Sequence, residues 1–278
     1  MDLNWLHSLL YGFVSGLADI LPVSAQAHRV LLLKFFGAKA DMDLLNFLIH
    51  LAVFGGLYYS SQTHLIRMNR ARALARVPKK KRKRPLDTRS LMDWSLLKTM
   101  IIPVILGVYL YQYVTSWQTN LILIALFLFL NGLVLYVPQY LPSSNKDSRT
   151  LSRVEGFLIG LSGTVSVLPG ISAMGVAVSA GSVCGVERTF CLNMALMMNM
   201  VLAAGMTVYD ILGIVNNGLG TLSLMILLRY LLTAAAAFGG TMLGVKIMRY
   251  LSQEHGYSLF GVYCWGLALF TFVLNLMA

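Results

Sequence analysis

The chain has 278 residues, 57% of them hydrophobic and 12% charged, with a mean hydropathy of +0.70 and a formal net charge of +11. A soluble domain carries about 25% charged residues, so this composition excludes a soluble globular protein and points to an integral membrane protein. Residues 67–89 hold eleven of the 22 Lys and Arg residues, including the run from Lys79 to Arg84; between apolar segments such a run marks a cytoplasmic loop near anionic lipid headgroups, not a nucleic-acid-binding element.

The amino terminus lacks a basic region and a small-residue cleavage site, so no signal peptide is expected. The first element, residues 8–33, is an apolar segment interrupted at Leu21-Pro22, with Asp19, Ser24, Gln26, His28 and Arg29 clustered around the interruption. Proline removes an amide donor and restricts the residue before it, so a helix breaks there. Freed backbone at membrane depth is tolerated only when it is buried in protein or lines a wet cavity.

Residues 44–62 form a span that ends at a basic loop over 63–93. Residues 94–114 and 119–138 form two more, since 99–145 contain no charged residue. The loop at 139–153 carries Lys146, Arg149 and Arg153 and belongs on the same side as the basic loop. A second interrupted segment, 154–186, follows. Its residues Gly163, Leu168 and Pro169 repeat the spacing of Gly16, Leu21 and Pro22, and both segments contain a Gly-Phe pair, at 12–13 and 156–157. Spans at 190–214, 222–247 and 257–277 complete the chain.

The loop charges place the two interrupted segments as re-entrant hairpins entering from opposite faces, each followed by three spans of opposite orientation. The expected fold is therefore all-α, with six transmembrane helices and two re-entrant helical hairpins in an inverted-topology repeat, repeat one being 1–145 and repeat two 146–278. The hairpin tips are expected to meet near the midplane and bring their polar residues together.

Ionisable residues inside apolar segments are functional candidates, which singles out Asp19 and His28. His50 either lines a cavity or bonds a backbone carbonyl. Asp210 lies near the end of its span and is read as interfacial, and Arg29 as a residue that reaches back to the interface. Cys184, Cys191 and Cys264 show no metal-ligand spacing and are read as small buried apolar residues, and the methionines from Met194 to Met206 as adaptable packing.

At these residues the chain resembles the bacterial undecaprenyl-diphosphate phosphatase family, the bacitracin-resistance type, along nearly its whole length. The run from Ser15 to His28 follows a family motif like Glu-Gly-x-Thr-Glu-x-Leu-Pro-x-Ser-Ser-x-Gly-His. Pro169-Gly170-Ile171-Ser172-Ala173-Met174-Gly175 follows Pro-Gly-x-Ser-Arg-Ser-Gly, and Asn46 to Leu51 is a weaker match to a third segment.

The resemblance implies removal of the terminal phosphate of a polyprenyl diphosphate, which regenerates the monophosphate carrier for cell-wall precursors in the bacterial cytoplasmic membrane. It implies His28 as base or nucleophile and Asp19 as a catalytic carboxylate that also places Mg²⁺ or Ca²⁺. Ser24, Gln26, Arg29, Gly170, Ser172, His50 and Asn46 are the substrate-binding candidates. Ser15, Ala25, Ala173 and Met174 stand where the family has Glu, Ser, Arg and Ser, and Asn46 stands where a carboxylate is usual. Arg29 is the available substitute for the cation absent at Ala173. The alternative reading is a non-catalytic polyprenyl-phosphate binding protein or lipid-carrier flippase. The partners expected are the lipid and the membrane, with a homodimer left open.

Overall fold

The computed structural model describes residues 3–38, 42–141, 145–218, 222–254 and 257–277. Among these residues the chain is helical throughout, with one isolated bridge between Lys146 and Val186. Helices α1 (Trp5–Ile20) and α2 (Ala25–Phe36) flank the first interruption, followed by α3 (Met42–Ala75), α4 (Thr88–Tyr111) and α5 (Leu121–Tyr136). Helices α6 (Arg153–Val165) and α7 (Ala173–Val183) flank the second, followed by α8 (Arg188–Asn217), α9 (Leu224–Glu254) and α10 (Ser258–Met277). Six helices, α3, α4, α5, α8, α9 and α10, are long and apolar enough to cross a membrane. Helices α1, α2, α6 and α7 have 16, 12, 13 and 11 residues. At about 1.5 Å per residue each falls short of a hydrocarbon core of about 30 Å.

The basic segment is shorter as a loop than its charge suggests. Helix α3 continues to Ala75, and the non-helical connection covers only 76–87, with one turn at Lys79–Lys81. Residues 63–75 contain neither Gly nor Pro and are rich in Arg, Ala and Leu, which hold a helix well outside an apolar layer. The first proline is Pro78.

Sequence dictates both breaks. Leu21, next to Pro22, is extended (φ −70°, ψ 152°), and the Ser24 hydroxyl caps α2 by accepting from the Ala27 amide. In the second break the Ser172 hydroxyl caps α7 by accepting from Gly175 N at 3.1 Å. Gly170 takes φ +107°, a conformation that favours glycine, and an added Cβ would press on the Ile124 carbonyl.

The two breaks hold each other. Gly170 N donates to Ser24 Oγ (3.1 Å), and Ser172 Oγ donates to the Leu21 carbonyl (3.2 Å). Asn131 of α5 completes the clasp: its Nδ2 donates to the Pro22 carbonyl (3.2 Å) and its Oδ1 accepts from Ser172 N (3.0 Å). Backbone groups freed by the two prolines thus find partners without water.

Packing follows a two-part pattern. Helix α1 lies on α9 and α6 lies on α4; α3 packs on α8, and α5 on α10; α3 also meets α9, as α8 meets α4. The close approaches rest on glycine. A Cβ at Gly12 or Gly16 would run into the backbone of Thr233 or Ala237, and one at Gly160 into the backbone of Met100. Met194, Met197 and Met198 are buried in the main apolar cluster, and Cys191 and Cys264 are buried as expected, with Cys184 half-buried.

Candidate functional site

A cavity of about 320 Å³ lies where the clasped breaks face α3, α8 and the α4–α5 connection. Asp19 from α1, Gln26 and Arg29 from α2, Asn46 and His50 from α3, and Ser172 at the second break line it. Thr115, Gln118 and Thr119 of the α4–α5 connection also line it, so it reaches the end of the bundle opposite the basic segment. Val30, Leu33, Leu202 and Met206 give it an apolar side.

One charged chain crosses the wall. Arg29 Nη2 donates to Asp19 Oδ2 at 2.6 Å, Arg29 Nη1 lies 3.0 Å from His50 Nε2, and His50 Nδ1 lies 2.6 Å from Asp210 Oδ2. A guanidinium only donates, so His50 Nε2 must accept, and the His50 proton sits on Nδ1, facing Asp210. Arg29, His50 and Asp210 are 6%, 9% and 5% exposed. Arg29 Nε is buried and, among the described residues, has no hydrogen-bond partner. The guanidinium therefore keeps donor capacity in a place where an unpaired donor is costly.

The expected residues divide into two groups. Asp19, Gln26, Arg29, Asn46, His50 and Ser172 come together around the cavity. Ser24 and Gly170 form the clasp behind it. His28 does not line the cavity: its Nδ1 lies 2.7 Å from the Ser24 carbonyl and its Nε2 lies 2.7 Å from the Tyr263 hydroxyl, with the two rings stacked. Its neighbour Arg29 points inward instead, as a step of about 100° around a helix requires. Arg29 is thus no interfacial residue. Asp210 is not interfacial either; it is buried against His50 because α8 packs along α3.

Three further residues belong to the site's frame. Asn131 joins the breaks, Gln118 Nε2 donates to the Val167 carbonyl (2.8 Å), and Asn199 Nδ2 donates to the Asp19 carbonyl (3.0 Å). Their signal was a strong hydrogen-bonding side chain in an otherwise apolar run, most visibly Asn131 within the uncharged 99–145 stretch.

The donor set around Asp19 does not fit a resident divalent cation. Mg²⁺ and Ca²⁺ take several oxygen ligands, whereas among the described residues Asp19 is the sole carboxylate lining the cavity and one of its oxygens is held by Arg29. No group of three or more His, Cys, Asp and Glu suited to a metal occurs among the described residues.

The family model described as bacitracin resistance protein BacA matches residues 8–270. The chain belongs to the BacA family. It is 26% identical over 273 residues to an undecaprenyl-diphosphatase of Methanobrevibacter smithii, covering 96% of both chains. It is 24% identical over 273 residues to one of Carboxydothermus hydrogenoformans (98% of both) and 25% identical over 265 residues to one of Methanococcus vannielii (95% of this chain, 98% of the relative). In this BacA chain the positions that depart from the motif fall in or near the same cavity. Ala25 and Ala173 line it, and Ser15, where the family has Glu, is buried with its hydroxyl unpaired among the described residues.

Proposed function

We propose that the protein removes the terminal phosphate of a polyprenyl diphosphate in the cavity between the two breaks. The observation that carries this reading is Arg29. The motif cation is absent at Ala173, yet a buried guanidinium from the other break reaches the same cavity, anchored by Asp19 and His50. Charge-assisted contacts from a guanidinium suit a diphosphate, and they suit the charge that spreads over the transferred phosphoryl group.

His50 supplies the base. A diphosphate oxygen that takes the Arg29 Nη1 donor displaces His50 Nε2 and frees its lone pair. Asp210 holds the ring by Nδ1, so the freed Nε2 accepts a proton from water as the water oxygen attacks the terminal phosphorus. The bond from that phosphorus to the bridging oxygen breaks, leaving the polyprenyl monophosphate and inorganic phosphate. The apolar side formed by Val30, Leu33, Leu202 and Met206 receives the first isoprene units. Every residue in this scheme comes from one chain, so no dimer is required.

The helix pairs α1–α2 and α6–α7 act in this scheme as re-entrant hairpins within an inverted repeat. Support comes from packing: exchanging α1–α5 with α6–α10 in order turns the α1–α9 contact into α6–α4 and α3–α9 into α8–α4, and leaves α3–α8 and α5–α10 unchanged. With the basic segment placed inside a bacterial cytoplasmic membrane, the cavity opens to the outer face.

The test is phosphate release from a polyprenyl diphosphate by the protein in liposomes, with and without Mg²⁺ or Ca²⁺. Release is expected to fall far more in His50→Asn than in His28→Ala. The reverse order would move the base to the position implied by the motif. A second reading, lipid-phosphate binding without turnover, is favoured by the missing carboxylate at Ser15. It predicts no release while a polyprenyl monophosphate still binds and is lost in Arg29→Ala.

A further inference from the structure

Further along α3, beyond its middle, lies a second cavity, of about 260 Å³. Its lining includes Ser61, Thr63, His64 and Arg67 of α3, Asn193 of α8 and Arg249 of α9. Among the described residues no carboxylate lines it. Arg67 Nη2 lies 3.2 Å from His64 Nδ1, and a buried carboxylate stands behind the imidazole, with Asp93 Oδ2 3.3 Å from His64 Nε2 but outside hydrogen-bond geometry. Arg249 Nη2 donates to the Ser60 carbonyl at 2.7 Å. A guanidinium has five N–H donors, and these contacts occupy one on each arginine. Two exposed arginines, hydroxyls and an amide around a small open cavity form a donor-rich, positively charged site suited to a tetrahedral oxyanion.

The location has a second argument. The first cavity is lined by Asn46 and His50 near the start of α3 and by Asn199, Leu202 and Met206 around the middle of α8; this one is lined by Asn193 and Met197 in the first third of α8 and by Thr63, His64 and Arg67 beyond the middle of α3. Asn193 and Met197 stand 147 positions after Asn46 and His50, the spacing that separates Pro22 from Pro169. Arg67 and Thr63 also border an adjoining groove lined by Arg70 and Arg84, which gives the cavity a basic approach from the 76–87 connection.

We infer that this second cavity is a phosphate-binding site, taking a phosphomonoester dianion at the end of the bundle that carries the basic segment. It does not depend on turnover at the first cavity. The source of the dianion is either free phosphate or the headgroup of a lipid monophosphate, and the two are separable.

The test uses the full chain in phosphatidylcholine nanodiscs. Radiolabelled inorganic phosphate is titrated in one arm and farnesyl monophosphate in the other, and the number bound per chain is counted. In at least one arm the wild type is expected to bind two, and both Arg67→Ala/Arg249→Ala and the single variant Asn193→Leu to bind one, with the thermal melting of Asn193→Leu unchanged. Two bound in the inorganic arm assigns the free ion; two bound only in the farnesyl arm assigns the lipid headgroup. Arg29→Ala is expected to lose the other equivalent. No equivalent lost in the Arg67/Arg249 variant relative to the wild type, in either arm, overturns the second site. Loss of binding in Arg29→Ala alone would leave the first cavity standing, so the two readings fail separately.

Discussion

Two levels along α3 bring together the same three residue types in different settings. At one level Arg29, His50 and Asp210 form a chain in which His50 Nδ1 faces the carboxylate; at the other Arg67, His64 and Asp93 form one in which Nε2 faces it. His50 and His64 are fourteen residues apart, about 21 Å along the helix. The first chain has a second carboxylate, Asp19, on its arginine and lies against the clasped breaks. The second, among the described residues, has no partner carboxylate lining its cavity and lies beside the basic segment. An arginine fixed by a carboxylate is a rigid clamp that can meet a changing charge. Arginines without one hold an anion and do little chemistry. On the proposed reading, the same residue types therefore serve catalysis at one level and binding at the other.

The largest effect that separates the two levels is expected from Arg29→Ala. It removes the clamp and leaves the half-buried Asp19 without its cation, a smaller penalty than the about 3–5 kcal/mol of a fully buried pair broken from one side. Phosphate release should fall by about 10³-fold, and the melting temperature should fall with it. Arg29→Lys separates the two effects: an ammonium restores charge to Asp19 but lacks the planar fork, so stability should return further than turnover. Equal recovery of both would make Arg29 a structural ion-pair partner only.

Asp210→Asn is expected to come next. It keeps the shape but removes the charge that orients His50, and release should drop about 10- to 100-fold with little change in monophosphate binding. A loss of binding without a loss of turnover would contradict the assignment of His50 as base.

Much of the fold was readable from composition and punctuation. Long apolar runs and the Lys/Arg distribution give six spans, and Leu21-Pro22 and Leu168-Pro169 mark the two breaks. The site was readable only in part, for two physical reasons. A motif frame transfers position along the chain but not the direction of a side chain. His28 occupies the matched frame, yet Arg29, one step round the helix, faces the cavity. Depth is the second reason. Asp210 stands near the end of its own helix, but its burial depends on how far α3 extends alongside, and no local pattern in α8 encodes that. Asn131, a lone strong polar group in an uncharged span, carries a signal that the motif frame does not single out.

The two glycine contacts offer a test of the packing symmetry at smaller scale. Gly16 meets the backbone of Ala237, and Gly160 meets that of Met100. If α1 on α9 and α6 on α4 are equivalent, Gly16→Ala and Gly160→Ala should lower stability alike, by about 1–3 kcal/mol each for overpacking. A much smaller cost for one, read from melting of the purified protein, would mean that only one of the two contacts is tightly constrained.

The smallest expected effect lies at the start of α6, where an ion pair has no counterpart described at the start of α1. Lys146 Nζ donates to Glu155 Oε1 at 2.6 Å, and Glu155 Oε2 accepts from Ser152 N in a capping box. The lysine, then the capping amide and hydroxyl, hold the Glu155 carboxyl down at about 2. A depressed carboxyl stabilises the fold above its unfolded value and loses that contribution as pH falls through the folded one. Glu155→Gln should therefore destabilise the protein at neutral pH, by about 0.5 kcal/mol given the pair's exposure, and the gap should close between about pH 4.5 and pH 2. A gap that widened on acidification would mean that the carboxylate opposes the fold and that the capping hydrogen bonds alone define the start of α6.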